Sequence, residues 1–240
     1  PVAKAVLTVG NATSVANKTY DGTTTAALSG GSLSGVLGSD SLTLVEAGTF
    51  ASVNAGTGIV VTAADTVTGT AANNYTITQP TGLTADITPK ALTVSGTSVA
   101  SKTYNGNTTA TLTGGTLVGV VTGDNVTLTQ AGTYASANAG TGIAVTAADT
   151  LNGTALTLGN YTLTQPTGLT GTINKANATV TASSGSATYD GSAHSVSGFT
   201  ATGLVNGETA SVLTSVTASA TGTNAGSYAS TASEIGRAHV

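Results

Sequence analysis

Three short stretches place a tyrosine beside a carboxylate or its amide. They are "KTYDG" at Lys18–Gly22, "KTYNG" at Lys102–Gly106 and "ATYDG" at Ala187–Gly191. A phenol next to an aspartate could hold a ligand or move a proton. The same four letters could equally write a turn, because Asp-Gly and Asn-Gly both tolerate the left-handed backbone that tight turns require. Asn105 stands where the first stretch has Asp21. An amide cannot serve as a general base or supply carboxylate charge to a cation. The exchange removes a chemistry and keeps a geometry, so the stretch reads as a turn preceded by a core tyrosine.

Two further sets invite a chemical reading. Asp40 corresponds to Asp124 and Asp65 to Asp149, and loop acids of this kind could bind calcium. Each stands alone in sequence, with no DxDxDG-type cluster, and reads instead as a cap or solvated turn. "YDGSAHSV", Tyr189–Val196, contains serine, histidine and aspartate within eight residues. Residues this close on one turn and strand rarely converge into a nucleophilic triad. With no cysteine and two histidines, of which His239 lies at the extreme C-terminus, no thiolate or histidine-cluster metal site is expected. "GGSLSG" and "GGTLVG" lack the lysine and following helix of a phosphate loop. No catalytic, cofactor or metal residue is assigned, and no enzyme is expected.

The elements carrying these residues repeat. Tyr20, Tyr104 and Tyr189 lie 84 and 85 residues apart. "NAGTGI" at Asn54 returns at Asn138, and "NYTITQPTGLTADI" from Asn74 returns as "NYTLTQPTGLTGTI" from Asn160. The later copy carries a short insertion, "TALTLGNY" for "TAANNY". Units of 1–89, 90–174 and 175–233 follow, joined through "TPK" and "INK" as short linkers and each expected to hold a modest core of its own. The third places its aromatic after the Asn-Ala-Gly, in "GTNAGSY", and stops before any "NYTLTQP". Residues 234–240, "EIGRAHV", match nothing in the other repeats and read as the in-frame translation of a common sequencing adapter. The opening "PVAKAVLTVG" lacks the layout of a signal peptide and reads as mid-protein sequence.

Composition agrees with strands. Only 7% of residues are charged and 4% aromatic, Gly numbers 32, and threonine takes about a fifth of the chain. Threonine and valine favour strands, and glycine favours turns. Within a unit the alternation predicts strands over "ALTVSG", "TATLTGGTLVGV", "NVTLTQAGTYAS", "TGIAVTAAD", "NYTLTQ" and "GLTGTI". The expected class is all-β: tandem small antiparallel β-sandwich modules, Ig-like, in an extended array. Phe50, Tyr134, Tyr75 and Tyr161 read as core anchors. A net charge of −4 with six Lys and Arg leaves no basic patch for nucleic acid, and no apolar run is long enough to insert in a membrane.

The set "KTYDGTTTAALSGGSLSGV", "FASVNAGTGIVVT" and "NYTITQPTGLTADITPK" resembles the YDG repeat of bacterial surface proteins, found in large exported adhesins similar to filamentous haemagglutinin. The third unit resembles the related glycine-rich MBG repeat of bacteria, cut short. The resemblance implies an extracellular, Gram-negative setting and tandem arrays, and it carries no catalytic or ligand-binding residue to transfer. The expected role is structural: stalk modules whose partners are neighbouring repeats. The alternative is a binding module for a glycan, a host-cell or biofilm surface ligand, or a second copy of itself.

Overall fold

Burial alternates along the strands, and that alternation builds the core. In Ala5–Val9 it selects Leu7 and Val9; in Gly56–Ala63, Val61 and Ala63; in Leu83–Thr88, Ala85 and Ile87. Successive side chains of a strand point to opposite faces, so threonines and serines take the solvent side. The structure, a computed structural model, describes residues 1–10 and 13–233. Residues 234–240, the expected adapter-like tail, lie outside the described residues. Strands take 46% of the chain and helix 4%, which places it in the all-β class.

The chain divides into two compact units. The first comprises Pro1–Ser95, Thr116–Thr129 and Thr150–Thr164. Its opening sheet orders Tyr75–Thr78, Ala5–Val9 and Leu33–Ser34. Its second sheet orders Lys18–Thr19, Leu83–Thr88, Gly56–Ala63, Gly48–Phe50 and Thr25–Ala26. Against this lies a three-stranded sheet from the next repeat, Thr116–Val118, Lys90–Ser95 and Tyr161–Thr164. The hydrophobic core follows suit. Tyr20, Phe50, Val61, Ala85 and Ile87 cluster with Leu92 and Tyr161 from beyond Pro89. The first repeat therefore does not close its core alone: its five-stranded sheet is covered by strands from the start, middle and end of the second. Each fully buried Leu, Ile or Phe here contributes about 1.5–3 kcal/mol.

The second unit comprises Gly96–Gly115, Gln130–Asp149 and the chain from Gln165 onward. Its five-stranded sheet repeats the first: Lys102–Thr103, Leu169–Asn174, Gly140–Ala147, Gly132–Tyr134 and Thr109–Ala110. Tyr104, Leu112, Tyr134, Val145 and Ile173 form its core with Ala176, and Val205 packs against it. The third repeat adds the pair Thr179–Ala182 with Phe199–Thr202, and the sheet His194–Ser197, Thr217–Gly222, Thr231–Ser233.

The sheets are mixed where an antiparallel arrangement was expected. Ala5–Thr8 runs parallel to Tyr75–Thr78, and Lys90–Thr93 parallel to Tyr161–Thr164. Lys18–Thr19 and Lys102–Thr103 also pair in parallel, with Ile87–Thr88 and Ile173–Asn174. Parallel neighbours need a long crossover, and here nearly the whole repeat supplies it. The long predicted strands are also broken. "TATLTGGTLVGV" becomes Thr109–Ala110, Leu112–Thr113 and Thr116–Val118. The second break falls at Gly114, whose φ of 78° lies where L side chains are strained. The insertion in "TALTLGNY" forms a one-turn helix, Ala155–Leu158, capped when the Thr154 hydroxyl accepts from Thr157 N–H; the first repeat has a 3-10 turn, Ala72–Asn74, instead.

Candidate functional site: a tyrosine–carboxylate junction

The acid beside each tyrosine belongs to its own turn. Asp21 Oδ1 accepts from the backbone N–H of Thr23 at 2.9 Å, Asn105 Oδ1 from that of Asn107 at 3.3 Å, and Asp190 Oδ1 from that of Ser192 at 2.8 Å. The following glycines take φ of 77°, 76° and 81°. This is the side-chain-closed turn expected of Asx-Gly. Asp21 also pairs with Lys18 at 2.7 Å. Its burial would raise the carboxyl pKa, but Lys18 and the Thr23 donors outweigh that and hold it below the ordinary value.

Lysine supports the loop from inside, a role the sequence reading left unassigned. Lys18 Nζ donates to the carbonyls of Thr23 (2.9 Å) and Thr25 (3.3 Å) and lies 5.9 Å from the centre of the Phe50 ring. Lys102 repeats this with Asn107, Thr109 and the Tyr134 ring. Burial holds the Lys102 pKa below the usual lysine value.

Each of the first two tyrosines does meet a carboxylate, one from the following repeat. Tyr20, 5% exposed, donates its hydroxyl to Asp124 Oδ2 at 2.9 Å, 104 residues away. Tyr161 donates to the same oxygen at 2.5 Å and accepts from Val121 N–H at 2.9 Å. The Tyr20 and Tyr161 rings meet edge to face, with centroids 5.4 Å apart at 82°. Tyr104 donates to Glu208 Oε1 at 2.6 Å, again across 104 residues. Asp124, expected as a cap or solvated turn, is thus a half-buried acceptor shared by two phenols. Asp40 accepts from Tyr75 at 2.7 Å, and Tyr75 accepts from Leu37 N–H. Glu208 was missed by the sequence reading, although "VNGE" beside "VTGD" carried the signal.

These contacts set the phenols' chemistry. Burial first, then the Asp124 hydrogen bond, pushes the Tyr161 pKa up to about 12. The same causes raise Tyr20. The Glu208 hydrogen bond and then burial raise Tyr104. At Tyr75 the Leu37 N–H lowers the pKa, but the Asp40 hydrogen bond and burial together raise it overall. All four stay protonated at neutral pH and act as donors. The arrangement fastens one repeat to the next.

A second fastener lies beside the first. Asn160, 2% exposed, accepts from Ala55 N–H at 2.8 Å and donates its amide to Asn54 Oδ1 at 3.0 Å. The matching Asn74 of the first repeat is exposed. Glycine is also needed here for space: a Cβ at Gly22 would come within 2.8 Å of Val121, and one at Gly106 within 2.7 Å of Asn206.

The remaining candidates stay separate. Asp65 and Asp149 are buried rather than solvated. Their Oδ1 atoms accept from Ala47 and Ala131 N–H, while Gln79 and Gln165 clamp the same aspartates' backbone N–H and carbonyl at 2.8 Å. The glutamine of "TQPTGL" recurs in both repeats, but its role appears only in three dimensions. His194 Nε2 lies 2.9 Å from Asp190 Oδ1. Asp190 is held below the ordinary carboxyl value, first by the Ser192 N–H and then by His194. No serine hydroxyl bonds His194 among the described residues. Nor do three or more His, Cys, Asp or Glu gather among them as a metal site would require.

Comparison with known families agrees with this periodic geometry. The YDG domain matches residues 3–82 and 88–168, and the MBG domain (YGX type) matches residues 178–238. No curated protein and no solved structure matches the chain. Two YDG matches spanning more than half of the sequence, each carrying the same tyrosine turn, mean that the chain belongs to the YDG domain family.

Proposed function

We propose that the chain is a run of non-enzymatic structural modules from a large bacterial cell-surface or secreted adhesin. In this reading it is a stalk segment on the outer surface of a Gram-negative cell, built of Ig-like β-sandwich modules in an extended array. One observation carries the proposal. The repeated motif is spent on joining repeats: Tyr20 of one is completed by Asp124 of the next, and Asn54–Ala55 by Asn160. A motif that served a ligand would leave its polar atoms facing a cleft; here they face a neighbouring repeat of the same chain.

Small-angle scattering at low concentration tests the array. Three modules of about 12 Å radius end to end give an overall radius of gyration near 28 Å, against roughly 18 Å for one compact body of this length. A value at the lower figure overturns the stalk reading. Binding of the whole chain to a glycan array or to host cells would instead support a ligand-binding module.

A further inference from the structure

Three Asn-Gly peptides lie in the chain: Asn105–Gly106, Asn152–Gly153 and Asn206–Gly207. Asparagine before glycine is open to one reaction with itself. The next backbone nitrogen can attack the side-chain amide, because glycine brings no side chain to hinder the approach and bends freely. In an unfolded chain the three peptides are alike. The fold treats them differently.

Two of them are held. Asn152 ends the strand Thr150–Asn152 opposite Thr127 and donates its amide nitrogen to Thr129 Oγ1 at 2.8 Å. A Cβ at the following Gly153 would lie 3.0 Å from the Asn125 carbonyl, so that backbone has little room to swing. Asn206 and Gly207 take φ of 54° and 72°, in a turn that the Glu208 N–H closes on the Val205 carbonyl at 3.1 Å. The Asn206 side chain also lies against Gly106, where a Cβ would come within 2.7 Å of it.

Asn105 is exposed, and its amide nitrogen donates to no described residue. Its Oδ1 accepts from the Asn107 N–H at 3.3 Å. That donor sits where negative charge gathers on the oxygen as the amide carbon is attacked, and it stabilises that charge. Lys102, bonded to the Asn107 carbonyl at 2.7 Å and Oδ1 at 2.8 Å, places positive charge beside the same loop. The repeat that carries Asn105 has a neighbour on each side, and the turn stays exposed although the Tyr104–Glu208 bond already closes the junction beside it. The matching turns of the other repeats have carboxylates, Asp21 and Asp190, both held below the ordinary carboxyl pKa. An ionised carboxylate resists attack by a nitrogen, so the three like turns differ in reactivity at the same carbon.

We propose that Asn105 is a self-modification site. The Gly106 nitrogen bonds to Asn105 Cγ, the Cγ–Nδ2 bond breaks, and ammonia leaves with the proton from the Gly106 nitrogen. Water then opens the five-membered imide. Opening at Cγ gives ordinary aspartate. Opening at the main-chain carbonyl carbon gives isoaspartate, whose peptide runs through the former side chain. Water is the only co-reactant, and nothing is oxidised or reduced. Either product adds one negative charge to the loop. The aspartate form matches the first repeat, where Asp21 pairs with Lys18 at 2.7 Å. The isoaspartate form lengthens the backbone of the turn by one methylene.

Peptide mapping by mass spectrometry tests this on the whole folded chain, aged at mildly alkaline pH and body temperature beside a sample aged in denaturant. In the folded chain Asn105 should convert about tenfold or more faster than Asn152 and Asn206, the effect on a barrier of about one retained hydrogen bond. In denaturant the three should convert at similar rates. The aged wild type should gain an acidic form that co-elutes on anion exchange with the Asn105→Asp variant. An Asn105 that outlasts Asn152 or Asn206 in the folded chain overturns the proposal. So does conversion of all three at one rate in the folded chain, or an Asn105 that converts in denaturant alone.

Discussion

Tyr20 and Asp124 lie 104 residues apart and share a 2.9 Å hydrogen bond, and Tyr104 and Glu208 repeat that separation at 2.6 Å. The tyrosine of one repeat is thus satisfied by the acid of the next, and the phenol that anchors a core also fastens a junction. Removing the hydroxyl and removing the acid should therefore not be independent events.

Tyr20→Phe should destabilise the chain by about 1 kcal/mol, since the ring still packs and only the hydrogen bond is lost. Asp124→Ala should cost more, because it strands the Tyr161 hydroxyl as well. A double-mutant cycle by denaturant melts should show a coupling of about 0.5–2 kcal/mol. Additive effects within error would mean that the bond contributes nothing.

The turn and the core should respond differently to substitution. Asn105→Asp rewrites the second turn as the first is written and should shift stability by less than about 0.5 kcal/mol. Tyr134→Ala empties a site that is 1% exposed and should cost about 3–5 kcal/mol. Thermal melts of the whole chain would contradict this assignment if Asn105→Asp proved the more damaging change.

Alkaline pH should loosen the junction. Tyr161 has a folded pKa of about 12, above the ordinary 10.0. A raised pKa means that the fold favours the protonated phenol. Its contribution is therefore fully present below pH 10 and lost as pH rises from 10 through 12. Unfolding midpoints followed across that range should fall, and Tyr161→Phe should flatten the fall. A midpoint unchanged through pH 12 would count against the buried hydrogen-bonded phenol.

The glutamine clamp should matter although it touches no tyrosine. Gln79→Ala removes a donor to the Asp65 carbonyl and an acceptor for the Asp65 N–H at a buried residue. Leaving such groups unpaired costs about 1–3 kcal/mol, so the melt of the first unit should shift accordingly. Gln79→Glu keeps the acceptor but sets a carboxylate oxygen against the Asp65 carbonyl in place of the amide donor, and should cost at least as much.

Much of the molecule could be read locally. The repeat period, the all-β class and the turn at each Tyr-Asx-Gly depend on residues within a few positions of one another. Asp21 and Asn105 close the same turn because the i to i+2 bond needs only a side-chain oxygen and a glycine to follow. Buried aromatics such as Phe50 and Tyr134 were legible because a core otherwise made of small aliphatic residues needs large rings. What only the tertiary structure decided was partnership. Nothing near Tyr20 in sequence names Asp124, since the adjacent Asp21 is the obvious acceptor and is already occupied by its own turn. Parallel pairing of strands some seventy residues apart, the clamp of Gln79 on Asp65, and the contrast between buried Tyr20 and exposed Tyr189 have the same origin. Identical local sequence writes identical turns, but whether a side chain is buried depends on which distant segment comes to cover it.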